Sequence, residues 1–304
     1  MPELRSPSWL SLHVFHQGDL DHLVTDVSNE MRPYLPGRGQ MFFLRYWNGG
    51  PHIRFRFRLP GRSPAAHSEL LARVQCVVRD VLDRRPSTRV MTQADYEEQA
   101  TILGQHEGVV PEPRLASNDT YQVRAYVPET DRYGTGESLA AVEDHFTESS
   151  ALALRLLERT PSAEARALLA FKAAVISNDA LHAAGHPELL ADRSNVDASA
   201  DPAKLRSTAR SARNAVSQGL NTGLVGPEFI WHRSVTSLID RLGRVERAEL
   251  PASTTDSVPR MVDLCTHLFC NRIGVDIQTE GLVRTWVERE QSHQLDDANG
   301  GEAR

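Results

Sequence analysis

The segment Pro51–Arg58 reads PHIRFRFR, and its alternation is the first sign of chemistry in the chain. Side chains of a strand point in turn to its two faces, so His52, Arg54, Arg56 and Arg58 share one face and Ile53, Phe55 and Phe57 the other. The apolar face must go to a core. Three guanidiniums and an imidazole are left in a row, with neighbouring arginines about 7 Å apart. Such a row repels itself unless something anionic lies among it, and the guanidinium fork matches carboxylate or phosphate geometry. Taken alone, the same pattern also describes an ordinary solvated sheet face with carboxylate partners on the next strand.

Two other segments carry polar residues at informative spacing. In YVPETDRYG, residues 126–134, Pro128 fixes the chain, and Glu129 and Arg132 lie three apart in a turn at the end of a strand. Turns held by a rigid scaffold often carry site residues, although an exposed Glu–Arg pair of little energetic weight has the same spacing. In THLFCNRIG, residues 266–274, helical spacing puts His267 and Asn271 at the border of an apolar stripe and Arg272 near its centre. A histidine beside an apolar stripe is commonly a packing residue. An arginine aimed at a core is expensive unless paired, which implies a polar enclosed region near His267.

Other constellations fail on spacing. His182 and His186 flank Gly185 without a third ligand nearby, and Gly134-Thr135-Gly136 lacks the further glycine and the strand–helix setting of a dinucleotide loop. The three cysteines, Cys76, Cys265 and Cys270, form no CxxC pair and no even disulfide set. Neither a metal nor an organic cofactor is expected.

These residues need elements to hold them. Trp9–His16, Met41–Trp47, Pro51–Arg58 and Thr120–Val127 read as strands, with Asn48-Gly49-Gly50 as the turn between the second and third. Asp19–Tyr34 and Ala66–Leu82 read as helices of the same half. From Glu137 onward the pattern is helical: 137–159, 162–184, 202–220, 229–250 and a stripe through Met261, Leu264, Cys265 and Leu268 capped by Gly274. Strands first and helices after give an α+β fold, a mixed or antiparallel N-terminal sheet packed on a C-terminal helical layer. We expect a single domain over residues 1–290, mainly sheet with two helices over 9–136 and helical over 137–290, with a flexible tail at 291–304.

Bulk properties exclude several classes. The chain has 304 residues, a net charge of −6 and a pI near 6.1, so a generic polyphosphate-binding surface and direct nucleic-acid binding are not expected. No stretch approaches 18 apolar residues, and the start carries no apolar signal segment. A reducing cytoplasm and no membrane association are the expectation.

Together, FLRYWNGGPHIRFRFR (43–58), YVPETDRYG (126–134), ESLAAVEDHFTESS (137–150) and CTHLFCNRIG (265–274) resemble the C-terminal elimination domain of lantibiotic dehydratases, also called thiopeptide-type bacteriocin biosynthesis domains. The segments occur in that family's order, from residue 9 to about 290. The resemblance implies an enzyme that expels glutamate from O-glutamylated Ser or Thr of a precursor peptide, leaving dehydroalanine or dehydrobutyrine. It places the family's site arginines on Arg54, Arg56 and Arg132, its acidic residue on Glu129 and its histidine on His267. His52, Arg45, Asn271, Arg272 and Tyr133 are expected on the substrate side. The implied partners are the precursor peptide, with leader and core, and a separate glutamyl-tRNA-dependent glutamylating subunit; a homodimer is also compatible. One departure is visible, Thr135 where the family often has a second glycine.

Two rivals share this fold. A pyridine synthase would join two dehydroalanines in a formal [4+2] aza-cycloaddition and release the leader, but such a site has no glutamate to bind. A non-catalytic peptide-binding scaffold would be expected to lose the polar constellation.

Overall fold

The computed structural model describes residues 9–35, 41–59, 61, 63–159, 162–186, 201–251 and 257–300, with the backbone alone for 106, 257 and 291–300. The chain divides into two compact units, Met1–Val127 and Pro128–Arg304. The first holds the sheet and the second is helical, so the α+β class expected from the sequence is the class observed.

In the first unit, β1 (Trp9–Phe15), β2 (Met41–Tyr46), β3 (His52–Arg58) and β4 (Thr120–Arg124) form one antiparallel sheet in the order β2-β3-β1-β4. Helix α1 (Leu20–Met31) joins β1 to β2 and leaves a gap that β3 fills by hairpin return, the split βαβ arrangement of ferredoxin-like domains. Asp19 starts α1 by accepting from the backbone N–H groups of Asp21 and His22. Helix α2 (Pro64–Arg84) follows β3. Leu12, Val14, Phe43, Ile53, Phe55 and Phe57 are wholly buried on one side of the sheet, and Val24, Val27, Val74 and Val78 are wholly buried on α1 and α2. The apolar half of PHIRFRFR thus goes to the core, as its alternation requires.

Helix α3 (Gln93–Glu107) was not legible as an apolar stripe, because among its described residues only Tyr96, Ala100 and Gly104 are buried. A reciprocal capping box between Thr92 and Asp95 opens it, and left-handed Gly108 closes it. β4 is shorter than expected and ends at Arg124.

The second unit is built from α4 (Thr130–Tyr133), α5 (Gly136–Leu157), α6 (Ala163–Ala183), α7 (Pro202–Thr222), α8 (Pro227–Leu242), α9 (Ser257–Arg272) and α10 (Ile277–Gly300). Helix α6 packs against α7, α8, α9 and α10, which suits a helix apolar nearly all round. Its small residues Ala170, Ala173 and Ala174 admit close neighbours, and Trp231 of α8 donates its Nε1–H to the Ala173 carbonyl at 2.9 Å. The helix expected over 229–250 stops at Leu242, and Arg247–Glu249 forms a separate 3-10 turn. The turn expected around Glu129–Tyr133 is itself one turn of helix, α4. Helix α10 enters the 291–304 segment read as a tail; its side chains from 291 and residues 301–304 lie outside the described residues.

Candidate active site

Strand register assembles the arginine face. β1 sets Trp9 opposite Arg58, Ser11 opposite Arg56, His13 opposite Arg54 and Phe15 opposite His52. On the far side of β3, Tyr46 of β2 lies opposite His52; on the far side of β1, Gln122 of β4 lies opposite His13. All these side chains share one face. Each arginine is held over a ring: Arg54 lies 3.4 Å from the Tyr46 centroid, Arg58 4.5 Å from Trp9 and Arg56 5.6 Å from Tyr126. Contact with a π-face holds a cation without cancelling its charge. No Asp or Glu occurs in any of the four strands.

Two imidazoles are set among these cations. His52 is 1% exposed, and its Nδ1 donates to the Gly50 carbonyl at 2.9 Å. The proton therefore sits on Nδ1, and Nε2 accepts from Arg54 Nε at 3.3 Å. His13 is 5% exposed, and its Nε2 accepts from Arg56 Nη2 at 3.4 Å. The rings stack with centroids 5.1 Å apart. Burial, then the charges of Arg56 and Arg54, push the His13 pKa down to about 2. Burial, opposed by the Gly50 carbonyl and reinforced by Arg54, takes His52 down to about 3. Both rings are neutral at any physiological pH.

Arg45 is placed elsewhere. It lies opposite Ile53, one position off the arginine face, and bonds Asp21 Oδ1 of α1 at 2.5 Å. A one-residue offset reverses the face of a strand side chain.

In the second unit, Glu129 immediately precedes α4 and its carboxylate lies 3.2 Å from Arg132 Nη1, both side chains half exposed. Tyr133, at the end of α4, is buried edge-on against Phe146 of α5, centroids 5.3 Å apart. The guanidinium of Arg272 lies 5.0 Å from the same Phe146 ring. Arg272 is fully buried, as its place in the α9 stripe implied, and burial lowers its pKa to about 10, which leaves it cationic at neutral pH. Its setting is aromatic: Tyr133 and Arg272 meet around Phe146. Asn271 stays at the border of the stripe, half-buried.

His267, also half-buried, has a different neighbourhood. Its Nδ1 lies 2.8 Å from Glu280 Oε2 of α10, and Glu280 is bonded by Arg284, which also holds Asp263 at 2.7 Å. Burial disfavours the charged ring, but the Glu280 carboxylate outweighs it and the His267 pKa lies above its ordinary value. Glu280 favours the proton on Nδ1, which makes Nε2 the acceptor nitrogen of the neutral ring. No local motif marks Glu280, because its meeting with His267 is made only when α10 packs beside α9. The sheet residue missed was His13, whose alternation with Trp9 and Ser11 was visible but whose partners were not.

The bend after Tyr133 explains Thr135. Gly134 has φ +74 and Gly136 φ +53, and a Cβ on Gly136 would lie 2.6 Å from the Glu249 carboxylate. That carboxylate caps α5, accepting from Glu137 N–H at 2.7 Å, while the Glu249 carbonyl accepts from Thr135 N–H at 2.7 Å. Thr135 itself is extended, φ −128 and ψ 179, a conformation open to any residue. The second glycine is not needed here.

The chain is similar in fold to several known structures. The pyridine synthase TbtD from thiomuracin biosynthesis matches with a TM-score of 0.66 at 18% identity, over 94% of this chain and 98% of that one. The tRNA-dependent lantibiotic dehydratase MibB from Microbispora sp. 107891 matches with a TM-score of 0.56 at 19% identity, over 97% of this chain but 29% of MibB. TsrL gives a TM-score of 0.52 at 16% identity, over 95% of each chain. No curated protein shows significant sequence similarity to the chain. The sequence profile of one family, described as lantibiotic biosynthesis dehydratase C-term, matches residues 9–289. With nearly the whole chain inside that match, this protein belongs to the lantibiotic biosynthesis dehydratase C-terminal family.

Proposed function

We propose that the protein eliminates glutamate from O-glutamylated Ser or Thr in a ribosomally made precursor peptide. The observation that carries this reading is the arginine face: three guanidiniums in a row on one face of β3, each over an aromatic ring. Such a face suits a substrate that arrives and leaves as an anion. In the elimination, a base takes the peptidyl α-proton and the C–H pair becomes the Cα=Cβ bond. The Cβ–O bond breaks and its pair departs on the glutamate carboxylate. Arg54, Arg56 and Arg132 stabilise that carboxylate, and one well-placed donor is worth about 3 kcal/mol. His267 moves the proton through Nε2, Glu129 orients Arg132 or meets the glutamyl ammonium, and no cofactor takes part. His52, Tyr133, Asn271 and Arg272 support the substrate side.

The reading implies a separate glutamyl-tRNA-dependent subunit that supplies the ester, and a cytoplasmic reaction. The length of chain shared with TbtD favours a second reading, a pyridine synthase, in which two dehydroalanines combine and the leader leaves. One experiment separates the two. The protein is incubated with O-glutamylated precursor and, separately, with a fully dehydrated azole-bearing peptide, and products are weighed by mass spectrometry. Loss of glutamate from the first supports elimination; leader release from the second with the first untouched overturns it.

A further inference from the structure

Asn178 of α6 is 2% exposed, and among the described residues neither its Nδ2 nor its Oδ1 has a hydrogen-bond partner. Both ends are unmet, so exchanging the amide nitrogen and oxygen changes nothing. Burying an amide without partners is costly, and buried polar side chains in native proteins are met by protein or by ordered water. A cavity of about 20 Å³ adjoins Asn178. Its polar walls are Asp263, Thr266 and Cys270 of α9 and Glu280 and Arg284 of α10. That space is sufficient for a water molecule.

The same cavity lies behind the carboxylate that holds His267. Glu280 Oε1 accepts from Arg284 Nε at 3.3 Å and Nη2 at 3.1 Å, while Oε2 meets His267 Nδ1 at 2.8 Å. A carboxylate has about four acceptor positions, so Oε2 can take one bond more. Arg284 already bridges Glu280 and Asp263, so their charges have a cation between them. What fits beside Asn178 is a small neutral molecule that both gives and takes hydrogen bonds.

We propose that the cavity binds one water molecule, which accepts from the Asn178 amide and donates to Glu280 Oε2, and that Asn178 is thereby a positioning residue for the Glu280–His267 pair. The chain Asn178–water–Glu280–His267 crosses α6, α10 and α9. The bond donated by the water orients the carboxylate and tempers its pull on the imidazole. Only the link to turnover rests on the elimination reading, in which His267 moves the proton. The water site stands apart from it.

A high-resolution crystal structure of the wild-type protein tests the site directly. Ordered water within hydrogen-bond distance of both the Asn178 amide and the Glu280 carboxylate is the expected result. An amide bonded to protein instead, or a cavity without such density, overturns the proposal. The positioning role is tested with Asn178→Leu and Asn178→Ser, with circular dichroism as the check on folding. Leucine is of similar shape, slightly larger and apolar, so it displaces the water. Serine keeps a hydroxyl and leaves room for it. The charged groups acting on His267 are Glu280 and Arg284 of α10 and Asp263 of α9, and all three stay in both variants. Without the water the Glu280 charge acts more strongly on the ring. The His267 midpoint read by NMR should therefore rise in Asn178→Leu by on the order of half a pH unit and stay near wild type in Asn178→Ser. An unmoved midpoint in Asn178→Leu, or an equal shift in both variants, overturns the role. If Asn178→Leu does not fold, the wild-type crystal structure still decides. The pH–rate profile for glutamate loss should follow the midpoint. A wild-type protein that leaves glutamylated peptide untouched removes the elimination reading, while the density and the midpoints still judge this one.

Discussion

His267 Nδ1 lies 2.8 Å from Glu280 Oε2, so this half-buried histidine is not a lone imidazole but one end of a carboxylate–imidazole pair. The pair sets both tautomer and basicity. Its stabilising contribution follows from two opposed shifts. The His267 pKa is raised, so its contribution is full below 6.5 and is lost as pH rises through the folded value. The Glu280 pKa is lowered, so its contribution is full above 4.5 and is lost as pH falls through the folded value. Both terms are complete only between those two ordinary values.

Glu280→Gln is therefore expected to move the His267 titration downward, because burial and the Arg284 charge are then opposed only by the weaker pull of Asp263. Histidine NMR reads the midpoint directly, and the pH–rate profile for glutamate loss should shift with it. An unmoved midpoint would show that Glu280 does not act on the ring. His267→Ala should lower kcat by about 10²–10⁴, the range for loss of a general acid–base group.

Arg54→Lys and Arg56→Lys keep the charge and lose the planar fork. Each is expected to lower kcat/KM for glutamylated peptide by about 10²–10³ while circular dichroism stays that of wild type. Arg45→Lys is the control within the same sheet. It faces α1 beside Asp21, so its effect should appear in the melting temperature and not in kcat/KM.

Glu129 and Arg132 form a half-exposed pair, so Glu129→Gln should change stability by less than about 1 kcal/mol. If Glu129 is a site residue, the same change makes glutamylated peptide accumulate. Full turnover with an unchanged melt would leave only a surface ion pair.

Gly134→Ala is expected to destabilise by about 2 kcal/mol or more, since φ +74 is strained for alanine and its Cβ would run into the Glu249 carbonyl. Glu249→Ala, which uncaps α5, should cost about 1 kcal/mol. Urea midpoints check both, and wild-type stability in Gly134→Ala would contradict the geometry of this bend.

His145 of α5 is buried, bonded to Ser234 at 2.9 Å, and burial lowers its pKa to about 3. The unfolded chain takes up this proton first, so stability falls as pH drops from 6.5 towards 3, by up to about 1.4 kcal/mol per unit. His13 and His52 add slopes of the same sign in the first unit. His145→Gln should reduce the slope of the urea midpoint against pH over that interval; an unchanged slope would mean the ring is already protonated in the fold.

Much of this was legible in the residues alone, for a local reason. Alternation in a strand and the stripe of a helix follow from backbone geometry within a few residues, so PHIRFRFR declared both its faces and Arg272 its burial without reference to distant chain. Those patterns, with the turn residues at 48–50, were sufficient for the α+β class and for the arginine row. Weakly patterned elements escaped, as α3 did, because a helix with few buried side chains is held by its caps and its surroundings more than by a stripe.

Tertiary structure decided the rest, because it depends on which residues meet across long stretches of chain. Register between strands some forty residues apart brought His13 within reach of Arg56, and the β2–β3 hairpin set Arg45 opposite Ile53 on the other face. Helix packing brought Glu280 to His267, and a 3-10 turn more than a hundred residues away supplied the carboxylate that caps α5. The residue types fixed what chemistry was available, and only the pairing of distant segments selected which imidazole is held neutral and which is held basic.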